Sequence, residues 1–398
     1  MTRDYARYVL SAGANVAVSY ALLLLLANNL SITDYALYGL VSSVAGVGLI
    51  ALNFGHKEAL FKFESQANRD AVAALTASLL PWLAGGLCLG FCLLVVDATV
   101  GVAALSYVCL YCLIVLSNVY RGRAHYSRDA STLPVYRLLW LLGGLLVLAL
   151  SQELTLFWVF SVSIVSSIIA FGLLGGVPIA VGLLRSRAPA RLPFSNPTLV
   201  NFFWLELATV AYLKLDVILL KLYGVGHSDL AHYFFAIQIF EAACLILSPL
   251  AYLFFNLYNS ALNQRTLNQT LMPFALGVVS IGGAILALWY GVGQEILAWF
   301  FPRYIESFEV SLYLMLALIP MGLSMLLSHA LFATHRESVY LKICAFGFAA
   351  CLGANVLFIP LAGTAGAAWA RVVTEVLILV LLVLYFRLAR LQRLRASR

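Results

Sequence analysis

Charge is scarce in this chain. Asp, Glu, Lys and Arg make up 10% of 398 residues, against 63% hydrophobic residues and a mean hydropathy of +0.97. That balance excludes a water-soluble globular protein and places the chain in a membrane. Long polar stretches are missing as well: no segment between apolar runs exceeds about 15 residues, which leaves no room for a soluble catalytic or nucleotide-binding domain. No Gly-x-x-x-x-Gly-Lys-Ser/Thr loop occurs, which argues against direct ATP drive from within the chain. The seven cysteines all fall inside apolar runs, Cys109 and Cys112 among them. They read as small packing residues, so no disulfide framework, metal cluster or cofactor is expected.

What is present is a series of apolar runs. A spanning helix needs roughly 20 mostly apolar residues, and on that ruler about twelve runs start near residues 8, 36, 71, 98, 135, 154, 199, 230, 270, 308, 338 and 363. Basic residues then assign the sides. Arg3, Arg7, Lys57, Lys62, Arg69, Arg121, Arg123, Arg128, Arg185, Arg187, Arg191, Arg265, Arg336 and the tail Arg387, Arg390, Arg393, Arg395 and Arg398 fall on one side, 18 of the 24 Lys and Arg. Arg303 and Lys221 face the other, beside Asp34, Asp97, Glu153 and Asp229. The positive-inside rule makes both termini cytoplasmic. The net charge of +7 is thus a topology signal with attraction to anionic lipid, not a nucleic-acid footprint.

An internal repeat organises the runs. Asp34-Tyr35-Ala36-Leu37-Tyr38 recurs 195 positions later as Asp229-Leu230-Ala231-His232-Tyr233. Six spans per half is an even number, so both halves start inside and the repeats are parallel, as in carriers that move a solute between two lobes. The expected fold is an all-α polytopic membrane protein with about twelve transmembrane helices in two parallel six-helix lobes around a central cavity. The lobes are expected at 1–183 and 198–386, with a basic, Pro-rich cytoplasmic linker at 184–197 and a basic cytoplasmic tail at 387–398. The first span is read as retained rather than as a cleaved leader, because its repeat partner, span seven, cannot be one.

Ionisable groups inside spans are costly and usually face an interior or a wet cavity. Glu206, Lys214 and Asp216 in span seven, Glu241 in span eight, and Arg371 and Glu375 in span twelve stand out on that ground. Arg7, Ser11, Asn15 and Ser19 follow at i, i+4, i+8 and i+12 and form a polar stripe on span one. Adding 195 carries Ser11 to Glu206 and Ser19 to Lys214. A shared wet cavity lined by spans one and seven is the economical reading; hydrogen bonding to neighbouring helices is the alternative. Gln238 and Glu241 form a second polar patch, with Glu241 either on a cavity wall or protonated and structural. Asp216 lies about 160° around the helix from Lys214 and is expected to face into its own half. Arg371 and Glu375, four apart, can pair along one helix. On these residues one half offers hydroxyls and an amide where the other offers charges, so the second half is expected to provide most of the grip.

Two families with parallel six-span halves compete. The turn after span two, Gly55-His-Lys-Glu-Ala-Leu-Phe-Lys-Phe-Glu-Ser65, departs from the Gly-x-x-x-Asp-Arg turn of facilitator-type carriers. Leu30-Ser-Ile-Thr-Asp-Tyr-Ala-Leu-Tyr-Gly39 resembles the start of span two in polysaccharide flippases of the multidrug/oligosaccharidyl-lipid/polysaccharide exporter superfamily. Asp216-Val-Ile-Leu-Leu-Lys-Leu-Tyr-Gly224, Ile296-Leu-Ala-Trp-Phe-Phe-Pro-Arg-Tyr304 and Gly363-Thr-Ala-Gly-Ala-Ala368 resemble later segments of the same family, in order. The resemblance implies a flippase, not an enzyme, that moves undecaprenyl-diphosphate-linked oligosaccharide to the outer leaflet of the bacterial inner membrane by alternating access. It implies a place in O-antigen or other lipopolysaccharide and surface polysaccharide biosynthesis, with the polysaccharide assembly machinery as a possible partner. Under it, Lys214, Arg371 and Arg7 are expected to hold the diphosphate, and Asn15 and Gln238 to line the substrate site. Glu206, Glu241 and Glu375 are expected to couple transport to a proton or sodium ion. A cation-coupled multidrug extruder of the same superfamily is the rival. A membrane glycan polymerase is disfavoured, since the outward loops are short.

Overall fold

The fold was obtained as a computed structural model, which describes residues 2–65, 69–123, 125–151, 153–185, 197–260, 267–334 and 336–396; side chains before residue 13 lie outside the description. Among the described residues the secondary structure is helical throughout, with no strand. That outcome follows from the solvent: hydrocarbon offers backbone N–H and C=O no partners, so helices must satisfy their own.

The first half runs α1 (Thr2–Asn29), α2 (Ile32–Asn53), a short α3 (His56–Ser65), α4 (Arg69–Val96), α5 (Ala98–Gly122), α6 (Tyr126–Ser151), α7 (Leu156–Leu173) and a short α8 (Gly176–Arg185). The second runs α9 (Pro197–Leu222), α10 (His227–Ser260), α11 (Leu267–Phe300), a 3-10 turn at Pro302–Tyr304, α12 (Ser307–Leu316), α13 (Leu318–Ala333) and α14 (Glu337–Ala396). Nine helical stretches among the described residues are long and apolar enough to cross a membrane. The stretch Ser338–Leu388 is folded into two spans at Gly363, whose φ of 55° and ψ of −127° break the helix. Adding α1 and α9 completes twelve, in the order and close to the positions expected. The helix α9 is less apolar because it carries Glu206, Lys214, Asp216 and Lys221. Span ten is built from α12 and α13, which part at Ala317. Pro320 explains the break, because it lacks the N–H that would bond the carbonyl of Leu316.

The repeat is carried by the helix boundaries. The helices α2 and α10 start at residues 32 and 227, separated by the 195 positions of the sequence repeat. In the first copy Ser31 caps α2, accepting the Asp34 N–H at 3.0 Å. The alanine common to both copies, Ala36 and Ala231, is fully buried.

The chain forms two compact units, Met1–Val210 and Ala211–Arg398. In the first, α5 is central and packs against α3, α4, α6 and α7, while α1 runs along α6. In the second, α10 packs against α11, α12 and α13, and α12 and α13 pack against α14. The division falls inside α9, whereas the sequence reading placed it in the linker at 184–197, of which residues 186–196 lie outside the described residues. The reason is packing: Leu199, Val200, Phe202 and Phe203 join Phe54, Leu60, Leu75 and Leu79 in one apolar core, and Tyr212 joins Leu331, Ile343 and Ile378 in another. The basic tail expected at 387–398 continues α14 as helix to Ala396.

Candidate functional site

Polar groups inside the spans gather into four clusters, two in each unit. In the first unit, α2 ends at Asn53 and the chain turns through Phe54 and Gly55, both at positive φ (40° and 76°), before α3 restarts at His56. Gly55 is required there. A Cβ would come within 2.5 Å of the Leu199 carbonyl oxygen, in a conformation only glycine adopts freely. The turn presents Asn53, whose Oδ1 accepts from the Lys57 backbone N–H at 2.9 Å and the Tyr111 hydroxyl at 2.7 Å. Its Nδ2 donates to one Glu206 carboxylate oxygen, and Lys57 Nζ ion-pairs with the other. His56 Nδ1 donates to the Asn53 carbonyl oxygen at 2.6 Å, and Nε2 faces the Ser78 hydroxyl at 2.9 Å. Burial holds the His56 imidazole below its ordinary pKa of 6.5, with the bond to Asn53 opposing. Phe54 stacks on Phe203 and on Trp82, with ring centroids 4.5 and 5.9 Å away. The cluster thus pins the first half of α9 onto the carboxyl end of α2. A buried carboxylate is tolerated only with such compensation.

The second cluster of this unit lies on the stripe of span one. Arg137 Nη1, from α6, donates to Asn15 Oδ1 at 3.0 Å and to the Ser19 hydroxyl. At the carboxyl end of α5, Arg121 pairs with the buried Asp129 at 3.0 Å and exposed Arg123 grips Glu64 with both nitrogens at 2.8 and 3.1 Å. That bond to Glu64 raises the Arg123 pKa further.

In the second unit, Lys214 Nζ meets Glu241 Oε1 at 2.6 Å, and the two side chains keep 23% and 40% of their surface exposed. Gln238, half-buried, sits one turn before Glu241 on α10. The fourth cluster is buried. Arg371 and Asp216, each 2% exposed, pair at 3.3 Å. Arg371 also donates to the Leu213 carbonyl oxygen at 2.9 Å, and Asp216 accepts from the Tyr233 hydroxyl at 2.8 Å. The Tyr212 hydroxyl donates to Glu375 at 3.1 Å, and the Arg371 guanidinium lies 5.7 Å from the Tyr212 ring centroid.

The sequence-predicted residues therefore separate. Lys214 and Glu241 come together, partly exposed, with Gln238 one turn away on α10. Arg371 and Glu375 lie in the buried cluster; they do not take each other but take Asp216 and Tyr212, so Arg371 is turned into the unit. Asp216 faces its own half, as its helix angle indicates. Glu206 sits with Lys57, and Asn15 with Arg137. The side chain of Arg7 lies outside the described residues.

Sequence reasoning missed Arg137, Lys57 and Asn53. Taking span five to start near residue 135 put Arg137 at its edge, but α6 begins at Tyr126 and Arg137 is well inside the apolar stretch Ser131–Ser151. The recurrence of Asp129, Thr132 and Tyr136, all buried, at helical spacing was the available signal. The expected asymmetry is corrected accordingly: the first unit offers a guanidinium on its stripe as well as hydroxyls and an amide.

No protein-family profile and no curated protein sequence matches the chain. Solved structures do. An inward-facing multidrug resistance MATE family transporter of the MOP superfamily aligns over 99% of this chain and 96% of its own at 13% identity, with a TM-score of 0.68. The lipid II flippase MurJ, in an inward closed conformation, aligns over 97% of this chain and 88% of its own at 9% identity, with a TM-score of 0.72. A MOP superfamily transporter from Pyrococcus furiosus, whose reversed binding-pocket polarity suggests a different function, aligns over 97% and 95% at 11% identity and a TM-score of 0.61. All three are transporters. At these identities the likeness is one of fold, and on it this multi-pass membrane chain has the all-helical fold of MOP superfamily transporters.

Proposed function

We propose that this chain is a flippase that moves undecaprenyl-diphosphate-linked oligosaccharide from the cytoplasmic to the periplasmic leaflet of the bacterial inner membrane by alternating access. The observation that carries the reading is Lys214, a cation well inside span seven that remains partly exposed beside Glu241 and Gln238. A glycan diphosphate cannot enter hydrocarbon bare, because each unsatisfied polar group costs several kcal/mol. An ammonium, with an amide one turn from its carboxylate partner on α10, offers the kinds of donor that phosphate and sugar oxygens need. Binding of the anionic headgroup competes with Glu241 for Lys214, and a coupling cation, proton or sodium, taken up by the Glu241 carboxylate would release the lysine. Glu206 and Glu375 are the further acids through which a proton or sodium ion would act, and Arg7 would stand at the cytoplasmic mouth. Arg371, locked onto Asp216, serves by setting the position of Tyr212 and Glu375. Surface polysaccharide or O-antigen assembly is the process this activity would serve.

The likeness to a MATE transporter supports cation-coupled drug extrusion as a second reading. Complementation separates the two. In a deletion strain, the wild-type chain restores surface glycan, and Lys214→Ala at equal expression restores less than about a tenth of it, the scale expected for losing a charge-assisted hydrogen bond. Full restoration by Lys214→Ala would overturn the role of Lys214. Loss of drug tolerance with intact glycan in the deletion strain would favour the extruder.

A further inference from the structure

A groove between α11 and α12 plays no part in the polar clusters described above. Gly283, Ala287 and Tyr290 of α11 line it with Leu312, Tyr313 and Leu316 of α12, around a volume of about 420 Å³. The three α11 residues follow at i, i+4 and i+7 and so form one stripe. Glycine leaves the floor open. A Cβ on Gly282 would lie 3.0 Å from Ile319, whereas one on Gly283, about 100° further round the helix, would meet nothing within 4 Å. From Gly283 to Tyr290 the groove runs about 10 Å along α11, most of the ~15 Å of hydrocarbon in one leaflet. Tyr290 and Leu316 on its walls are exposed, at 75% and 41%. Inside a span, an open apolar surface of this kind meets acyl chains rather than water.

One end of the groove is polar. The α11 stripe continues to Gln294, which is exposed. On α12, one turn before Tyr313, Glu309 accepts a hydrogen bond from the Tyr313 hydroxyl at 2.6 Å. The two polar residues stand at about one level, since a Cβ on Gly293 would lie 3.0 Å from the Phe308 ring. Trp299 and Phe300 are exposed just beyond, as aromatic residues are where spans meet headgroups. Glu309 is itself exposed, and among the described residues its carboxylate enters no ion pair. A carboxylate at headgroup level attracts an ammonium and repels a headgroup that is only anionic. The neighbouring amide offers a donor to the phosphate oxygens of the same lipid.

We infer that this groove holds one acyl chain of an amine-bearing phospholipid, whose ammonium is taken by Glu309. The inference is independent of the cargo proposed above. Native mass spectrometry of the purified full chain, equilibrated in detergent with phosphatidylethanolamine, phosphatidylglycerol or undecaprenyl phosphate, tests it. The wild type retains phosphatidylethanolamine over phosphatidylglycerol. Glu309→Gln lowers that preference about two- to fivefold, the scale of an exposed ion pair. Gly283→Phe and Gly283→Leu fill the groove and lower retention of phosphatidylethanolamine about tenfold, because the dispersion contacts of the chain are lost. Gly283→Ala retains it, and the leucine variant keeps the comparison decisive if phenylalanine prevents folding. Retention by Gly283→Leu within about twofold of the wild type, a negligible difference in free energy, would overturn the site. Equal retention of the two phospholipids by the wild type, or an unchanged preference in Glu309→Gln, would overturn the headgroup assignment. Undecaprenyl phosphate that displaces phosphatidylethanolamine from the wild type but is not held by Gly283→Leu would make the groove a seat for a prenyl tail. A dimer that Gly283→Leu dissociates would make it a face between two copies; either result contradicts the inference.

Discussion

Lys57 and Glu206 are 149 positions apart in the chain, and their exposures, 22% and 10% of the side chains, are unequal in a way that decides how each fails. Lys57→Ala removes the ion-pair partner of a mostly buried carboxylate, and we expect a loss of about 3 kcal/mol in the stability of the first unit. Glu206→Gln keeps a hydrogen bond to Asn53 and leaves a lysine that can extend to solvent, so it costs less. Thermal unfolding of the full chain in detergent checks the order, and equal losses would contradict it. His56 adds a pH dependence. Its folded pKa is depressed below the 6.5 that it regains on unfolding, so the folded state resists the proton that the unfolded state takes up. Stability is held above about pH 6.5 and falls as the pH drops below it. The unfolding temperature of the wild type should therefore decline more steeply below pH 6.5 than that of His56→Gln.

At the scale of elements, α9 is tied down by different partners along its length. Leu199 to Glu206 belong with α2 and α3, and Tyr212 to Asp216 with α10 and α14. Gly55→Ala should free the first of these attachments, since the added carbon meets the Leu199 carbonyl and the backbone is already at φ 76°. A cost of about 1–3 kcal/mol is expected, read as a lower unfolding temperature. The spans themselves were legible in the sequence because hydrophobic length is a strong and local signal, and the repeat matched the starts of α2 and α10. The partnerships were not. Helical angles placed Asp216 on the inward face, but nothing in the order of residues says that Arg371 prefers Asp216 to Glu375, or that Asn53 at the end of span two receives Glu206. Those are choices made by packing between distant helices. Arg137 was lost for a simpler reason: a boundary misplaced by about two turns hid a charge within a span.

For the whole molecule, the distribution of basic residues predicts that both termini are cytoplasmic. A fluorescent protein fused to either end should fluoresce, and alkaline phosphatase fused there should stay inactive; the reverse pattern at one end would break the twelve-span count. The fold alone is shared by flippases and drug extruders, so cargo has to be decided by the groups inside the spans. Lys214 with Glu241 is a pair inside the spans that stays partly exposed. The most direct measurement is transbilayer movement of undecaprenyl-diphosphate-linked oligosaccharide in proteoliposomes holding the purified chain. The account predicts flipping that exceeds that of protein-free vesicles and is lost in Lys214→Ala; movement no faster than in protein-free vesicles, with ion-driven uptake of cationic drugs in its place, would contradict it.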